Sequence, residues 1–487
     1  MATDVTVDHA DLLIGGVWTS PATSNRITVR SASTEEVIGS VPEASEADVD
    51  AAVAAARRAF DDPTGWSKWE PARRADLLDR LAEEYERRAD QMYAAVSSQN
   101  GMPIVIARQL ESFPPLLFHY YARLIREQAI EEVRDGILAS TVTVRRSPIG
   151  VVAAIIPWNV PQSLTATKLG PGLAAGCTFV IKPSPETVLD AYLLAEATVA
   201  AGIPEGVISI VPGGRELGAY LVAHPGVDKV AFTGSTAGGR AVAVACAQLI
   251  RPVSLELGGK SAAIVLDDAD LDLANIGQSL FAATLANNGQ VCFLGTRVLA
   301  PRSRYQEVVD TFAALMESAP VGDSLDENTL IGPMASRTHR DRVHGYIERG
   351  VADGARVVIG GAGRPDGLDH GWFVRPTLFA DVDNSATVAR EEIFGPVLSV
   401  IPYANDSEAV AIANDSEYGL GGTVWSTDPE RATSVANAVQ TGTIGINGYL
   451  PDPQGPFGGV KASGIGKEFG PEGLAAYQTL KSVYRFD

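Results

Sequence analysis

The residue best suited to covalent chemistry in this 487-residue chain is Cys292, in Asn288-Gly289-Gln290-Val291-Cys292. A thiolate is a strong nucleophile, available where a base or a positive dipole lowers the thiol pKa. A lone cysteine is more often a buried packing residue, so its meaning depends on its company. Gly289, three residues earlier, lets another stretch of backbone approach closely. The first companion is Glu256, in Leu255-Glu256-Leu257-Gly258-Gly259-Lys260. It ends an apolar strand, which sets its carboxylate at the carboxyl edge of a sheet, where open α/β folds bind ligands. Partial desolvation there raises a carboxyl pKa and suits the group to general-base work. The second companion is Asn159, in Pro157-Trp158-Asn159-Val160-Pro161, whose amide can donate to a developing oxyanion while the prolines fix the loop. Alone, the glutamate and the asparagine would read as turn residues. Together with Cys292 they are the parts of covalent catalysis at a carbonyl. A fourth element, Phe232-Thr233-Gly234-Ser235-Thr236 with Gly238 and Gly239 beyond, has the form of a strand-to-helix junction that holds phosphate. Its spacing is not the G-x-G-x-x-G dinucleotide fingerprint.

These residues need a scaffold, and the periodicity supplies one. From residue 142, apolar strand-like runs at Val151–Ile156, Thr178–Ile181, Val207–Val211, Lys229–Phe232 and Val253–Leu257 alternate with helical segments such as Val188–Ala201 and Ala237–Ala247. That rhythm predicts a parallel sheet with right-handed crossovers. It restarts at Ser261 with Ala262–Leu266, a helix to about Leu285, Arg297–Ala300, a helix from Tyr305, and so on to Ile444–Asn447. Two successive α/β units follow, with a boundary near Gly258-Gly259. Before them, Ser45 and Asp48 have capping-box spacing ahead of a helix over Val49–Phe60. A second helix starts near Pro71 and presents Leu77, Leu78, Leu81 and Tyr85 on one face. Two strand-like runs, Thr141–Arg146 and Thr479–Phe486, fit neither unit, and strands outside the main sheets are expected to pair with another subunit.

Composition excludes several classes. The chain has 39 basic and 59 acidic residues, a formal charge of -20, which repels nucleic acid and anionic membranes. No stretch reaches the roughly 20 apolar residues needed to span a bilayer. Met1 to Asp11 has no basic region followed by an apolar run, so no signal peptide is expected. Three cysteines are too few for a disulfide framework, and a cytoplasmic location is expected. The six histidines show neither i, i+4 pairing nor a cysteine partner at zinc spacing, so no metal is expected.

Seven motifs in order then carry a resemblance: Pro157-Trp158-Asn159, Lys182-Pro183-Ser184, Phe232-Thr233-Gly234-Ser235, Glu256-Leu257-Gly258-Gly259-Lys260, Gly289-Gln290-Val291-Cys292, Glu391-Glu392-Ile393-Phe394-Gly395-Pro396 and Pro456-Phe457-Gly458-Gly459. Over about Ile14 to Phe486 the chain resembles the aldehyde dehydrogenase superfamily, in its hydrolytic, non-acylating form. The resemblance implies two Rossmann-like open-sheet domains, one cofactor-binding (1–127 and 148–258) and one catalytic (259–459). It adds a small strand-based oligomerisation and C-terminal segment (128–147 and 460–487) and a homodimer or homotetramer. It implies oxidation of an aldehyde to the acid, with Cys292 as nucleophile, Glu256 as the base for thioester hydrolysis, and Asn159 with the Cys292 amide as oxyanion hole. Lys168 and Glu468 match positions along a proton path from the base. For the cofactor it implies Lys182 at the adenine ribose, Gly234 and Ser235 at the pyrophosphate, and Glu392 and Phe394 at the nicotinamide riboside. Ile156, Pro157, Trp158, Pro185, Gly214, Phe232 and Leu257 complete the cofactor contacts.

One departure bears on the cofactor. Pro185 stands where many NAD-preferring members carry a ribose-binding glutamate, so NAD is the first expectation and NADP the alternative. The tunnel-matching positions Val160, Ser163, Thr167 and Ala286 are small, and with Phe457 and Tyr449 they imply room for a bulky apolar aldehyde. Glu256 argues against a CoA-acylating semialdehyde dehydrogenase, whose members typically lack that base. The full Cys292, Glu256 and Asn159 set argues against a non-catalytic protein of the same fold.

Overall fold

The computed structural model describes residues 7–486. Met1 to Thr6 and Asp487, on which the leader reading and the outer domain bounds partly rest, lie outside the described residues. An eight-stranded sheet has five parallel strands at its centre: Val253–Glu256, Lys229–Thr233, Val151–Ile155, Thr178–Lys182 and Ile208–Ile210. The chain enters at Val151–Ile155, builds outward on one side, then returns to build on the other. The carboxyl ends on either side of the first strand therefore form a topological switch point, the usual ligand crevice of such sheets. Antiparallel strands close both edges: Leu12–Ile14 with Val17–Thr19 on one side, Gly464–Ile465 on the other. That last strand brings a piece of the C-terminal segment into the first sheet, against Glu256, a placement the periodicity did not foresee.

The second sheet has seven strands, six of them parallel, with Ala262–Val265 and Arg297–Pro301 at its centre and Arg356–Ile359 antiparallel at one edge. Both sheets are thus open and mixed rather than purely parallel. Strands buried on both faces read as unbroken apolar runs, which is why these were visible in the sequence.

The early helices form as their caps dictate. Ser45 and Asp48 make the reciprocal capping box, and the helix runs Glu46–Asp61. Pro71 opens Pro71–Glu86, whose Leu77, Leu78, Leu81 and Tyr85 are all buried. That helix packs with Phe113–Glu127 against Pro161–Ala175, an almost wholly buried helix that begins two residues after Asn159. The N-terminal three-stranded sheet of Val7–Asp8, Val37–Pro42 and Arg26–Arg30 was not expected, because its strands are short and half exposed.

The two outlying strands pair first with each other. Gln478–Arg485 pairs antiparallel with Thr141–Pro148 of the same chain over eight residue pairs, and Glu131–Asp135 pairs on the other side. Thr141–Pro148 is therefore the central strand, while Gln478–Arg485 and Glu131–Asp135 each keep one free edge at which a strand of another subunit could still pair. The sheet's surface is open as well: Val133, Leu480, Val483, Tyr484 and Phe486 are exposed, and Ile137 and Leu138 at the connecting turn are 100% and 92% exposed.

Candidate active site

Cys292 follows a turn of unusual backbone. Asn287, Asn288 and Gly289 all have left-handed φ, at 51°, 61° and 77°. Asparagine and glycine are the residues that tolerate this region. At Gly289 a Cβ would stand 2.1 Å from the Gly395 carbonyl oxygen, so only glycine fits. The turn is held from outside. Asn288 donates to the Gly101 and Pro333 carbonyls and accepts from the Gly332 amide, and Gln290 links the Asn100 carbonyl to the Ala335 amide.

The same network sets Asn159. Its carbonyl accepts from Asn100 Nδ2 and Asn287 Nδ2, both at 2.9 Å. Its own Nδ2 donates to the Gln290 carbonyl at 3.0 Å, which leaves the second amide hydrogen for another acceptor. Asn100, Asn287, Asn288 and Gln290 were missed by the sequence reading. The only local signal was the Asn-Asn-Gly run itself, a sequence that tolerates consecutive left-handed residues.

Glu256 ends its strand with both carboxylate oxygens buried and, among the described residues, without a hydrogen-bond partner. Burial pushes its pKa well above the ordinary carboxyl value, and the nearby Glu468 carboxylate adds to the rise. The glycines that follow allow tight packing. A Cβ on Gly258 would lie 2.6 Å from Glu392 Oε2, and one on Gly259 would lie 2.4 Å from the Cys292 carbonyl oxygen. Lys168, buried on the 161–175 helix, donates to Glu468 Oε1 and Thr233 Oγ1, each at 2.7 Å. Glu468 is itself locked to Phe457 by a pair of backbone hydrogen bonds.

The Cys292 thiol pKa is raised, first by burial and then by the Glu392 and Glu256 carboxylates.

The candidate cofactor residues gather along the carboxyl edge of the first sheet. Ile156, Pro157 and Trp158 follow Val151–Ile155, Lys182 ends Thr178–Lys182, and Thr233 ends Lys229–Thr233. Lys182 Nζ donates to the Pro183 and Gly213 carbonyls, and burial lowers its pKa to about 8. Gly214, the next residue, has no atom within 4 Å of where a Cβ would stand. Ser235 caps the Thr236–Gln248 helix, its Oγ accepting from the Gly238 amide. The neighbouring glycines have a packing role. Cβ atoms on Gly234 and Gly238 would crowd the Phe232 ring, and one on Gly239 would lie 2.4 Å from Leu257 Cδ2. Pro185 is half-buried and Glu186 exposed, the latter hydrogen-bonded by Ser184 Oγ. These elements suit a dinucleotide: a buried ammonium, an uncrowded glycine and a helix start along one sheet edge.

Glu392 and Phe394 come from the second sheet's side. Glu392 Oε1 accepts from the Gly259 amide at 3.0 Å, and burial raises its pKa. Phe394 has a left-handed φ of 65° and stacks edge-on against Trp158. The Arg337–Ala352 helix holds this loop: Arg342 donates to the Glu392 and Ile393 carbonyls, and His339 Nε2 lies 2.6 Å from the Phe394 carbonyl oxygen. His339 and Arg342 were also missed, because nothing local marks a helical side chain that reaches a distant loop. Among the described residues, no group of three or more His, Cys, Asp or Glu could hold a metal ion.

Cys292 lines two cavities. One, about 80 Å³, is walled by Asn159, Val160, Ser163, Thr167, Phe457 and their neighbours. The other is smaller and is walled by Gly259, Glu392, Phe394 and Gly395. Two open α/β sheets that meet over such a cysteine are a layout suited to an oxidoreductase that takes a dinucleotide. The chain belongs to the aldehyde dehydrogenase family, whose pattern it matches over residues 18–483. It is 56% identical to a geranial dehydrogenase of Castellaniella defragrans, with 99% of each chain covered. A Mycobacterium tuberculosis aldehyde dehydrogenase crystallised with NAD+ superposes with a TM-score of 0.95 at 47% identity, covering 98% of each chain. A cysteine-to-alanine mutant of a Pseudomonas syringae aldehyde dehydrogenase, crystallised with NAD+ and octanal, superposes with a TM-score of 0.94 at 40% identity, covering 98% of this chain and 97% of that one.

Proposed function

We propose that this aldehyde dehydrogenase oxidises an apolar aldehyde to its carboxylic acid through a thioester on Cys292 that Glu256 helps to hydrolyse. The observation that carries this reading is the position of Cys292 between two cavities, one largely apolar and one facing Glu392 and Phe394. The aldehyde enters by the first. The cofactor is NAD, held by Lys182, Gly214, Gly234 and Ser235 along the sheet edge and by Glu392 and Phe394 at its reactive end. When bound, it supplies positive charge beside the sulfur and accepts hydride.

Cys292 releases its thiol proton to water and attacks the carbonyl carbon as the thiolate. The oxygen that gains charge faces the free amide hydrogen of Asn159 and the Cys292 backbone amide. After oxidation, the acyl group remains on sulfur as a thioester. Glu256 takes a proton from the attacking water, and its unpartnered, buried carboxylate is basic enough to do so. Lys168 and Glu468 form the proton path behind it. The same reading divides the chain into a cofactor unit over 1–127 and 148–258, a catalytic unit over 259–459, and an oligomerisation segment over 128–147 and 460–487. Among the described residues no helix is long and apolar enough to cross a membrane. A cytoplasmic dimer or tetramer is part of this proposal.

Glu256→Gln separates the steps. Stopped-flow mixing with octanal and NAD should give one NADH per active site, followed by steady-state turnover reduced at least a hundredfold. In the native enzyme the hydrolytic step should quicken with rising pH, because the base form of Glu256 fills only above its raised pKa. Loss of the burst along with the steady state would move Glu256 ahead of hydride transfer.

A further inference from the structure

Asn159 is aimed by what lies on either side of it, and two buried carboxylates hold both sides. The Pro161–Ala175 helix begins two residues after Asn159, and its N-cap, Val160, offers no side-chain acceptor. Pro161 has no amide hydrogen, and the Leu164 amide already donates to the Val160 carbonyl at 3.0 Å. Gln162 and Ser163 are left with the unpaired amides of the first turn. Both donate to Glu111, at 3.3 Å to Oε1 and 2.7 Å to Oε2. Glu111 follows the Ile104–Leu110 helix, so this cap comes from another element and sets an acidic group at the positive end of the Pro161–Ala175 helix. Ser163 Oγ adds a third tie, to the Leu110 carbonyl at 2.5 Å. The second carboxylate is Asp190, in the first turn of Leu189–Ala200. Its Oδ1 accepts from Gln99 Nε2 at 2.9 Å, and its Oδ2 accepts from Gln162 Nε2. Gln99 precedes Asn100, whose Nδ2 donates to the Trp158 and Asn159 carbonyls.

We propose that Glu111 and Asp190 are positioning residues for the oxyanion step: together they hold the 158–163 turn so that the free amide hydrogen of Asn159 points at the substrate oxygen. The inference rests on the reading of Asn159 as oxyanion donor and adds what aims it. Both carboxylates are fully buried, and burial pushes their pKa values up, to about 8 for Glu111 and about 6 for Asp190. Keeping acidic groups in such a place is costly, and apolar packing would hold the helices together as well. What apolar side chains would not supply is paired acceptors for two backbone amides and two glutamine side chains. Neither carboxylate lines a cavity at Cys292, so each acts through Asn159 rather than on the substrate.

The test measures the stopped-flow NADH burst with octanal and saturating NAD for Glu111→Gln and Asp190→Asn, each made in the native enzyme and in Asn159→Ala. Both swaps keep the side-chain shape and turn one acceptor oxygen into an NH₂ that faces another N–H. Each should slow the burst by about tenfold or more, the scale of a misaimed catalytic group. Asn159→Ala alone should slow it by about a hundredfold or more. In that background the same swaps should cost less than about twofold, because the group they aim is gone. Alkylation of Cys292 by iodoacetamide, which forms no oxyanion, should stay within about twofold of native in both swaps. Equal slowing with and without Asn159 overturns the proposal and leaves the role of Asn159 standing, and so does alkylation slowed as much as the burst. A folded variant with a native burst overturns it for that residue. Should Glu111→Gln not fold, Asp190→Asn makes the same comparison. A native burst in Asn159→Ala alone overturns the oxyanion reading and this inference together.

Discussion

At the scale of single residues, the site divides into groups the sequence marks by type and groups it does not mark at all. Cys292, Glu256 and Asn159 stand in motifs whose chemistry is intrinsic to the residue; the structure sets Cys292 and Asn159 on one cavity, with Glu256 near enough to raise the thiol pKa. Asn100, Asn288 and His339 act through backbone groups far away in sequence, so no local pattern announces them. The thiol shows what a motif leaves out: its pKa depends first on burial and then on which charges face it, and the chain's own are carboxylates. Pro185 gives the residue-scale prediction. A carboxylate at that position would accept hydrogen bonds from the ribose hydroxyls, each worth about 1.5–3 kcal/mol, and would repel a 2′-phosphate. Pro185→Glu should therefore raise the NAD-over-NADP ratio of kcat/KM by roughly tenfold or more. The ratio is the quantity to measure, since reshaping the loop after Lys182 affects both cofactors alike. An unchanged ratio would mean that residue 185 does not face the ribose.

At the scale of elements, the reading from periodicity succeeds where burial is complete and fails where it is partial. The central strands of both sheets are buried on both faces and were placed to within a residue or two. The short strands at 26–30 and 37–42 and the Gly464–Ile465 edge have mixed burial, and their register depends on partners elsewhere in the chain. The 287–289 turn shows how an element positions chemistry. Its three left-handed residues swing the chain so that Cys292 meets the loop from Glu392 to Gly395. Gly289→Ala should destabilise the protein by about 1–3 kcal/mol, the usual scale of imposed backbone strain. It should also cut kcat/KM at least tenfold, because the Gly395 carbonyl must move and Glu392 and Phe394 move with it. Urea melts and initial rates would show both. Native stability with native activity would mean that the turn relaxes freely and does not set the sulfur.

For the whole molecule, the three-stranded sheet of 131–135, 141–148 and 478–485 is the feature that looks beyond a single chain. Its outer strands, 131–135 and 478–485, each keep one free edge, and it carries exposed apolar side chains at Val133, Ile137, Leu138, Leu480, Tyr484 and Phe486. An apolar patch of this kind on an otherwise strongly acidic protein marks a contact surface. Removal of residues 479–487 should strip Thr141–Pro148 of its neighbour and shift the assembly to smaller species by light scattering. An unchanged mass would place the subunit contacts elsewhere. The two cavities at Cys292 have a consequence of another kind, for traffic. On the proposed function, a carbonyl compound and a dinucleotide would reach one sulfur through separate cavities and would not queue for the same passage. The spent dinucleotide would then be free to leave while the acyl group is still attached, and each passage could be reshaped without disturbing the other.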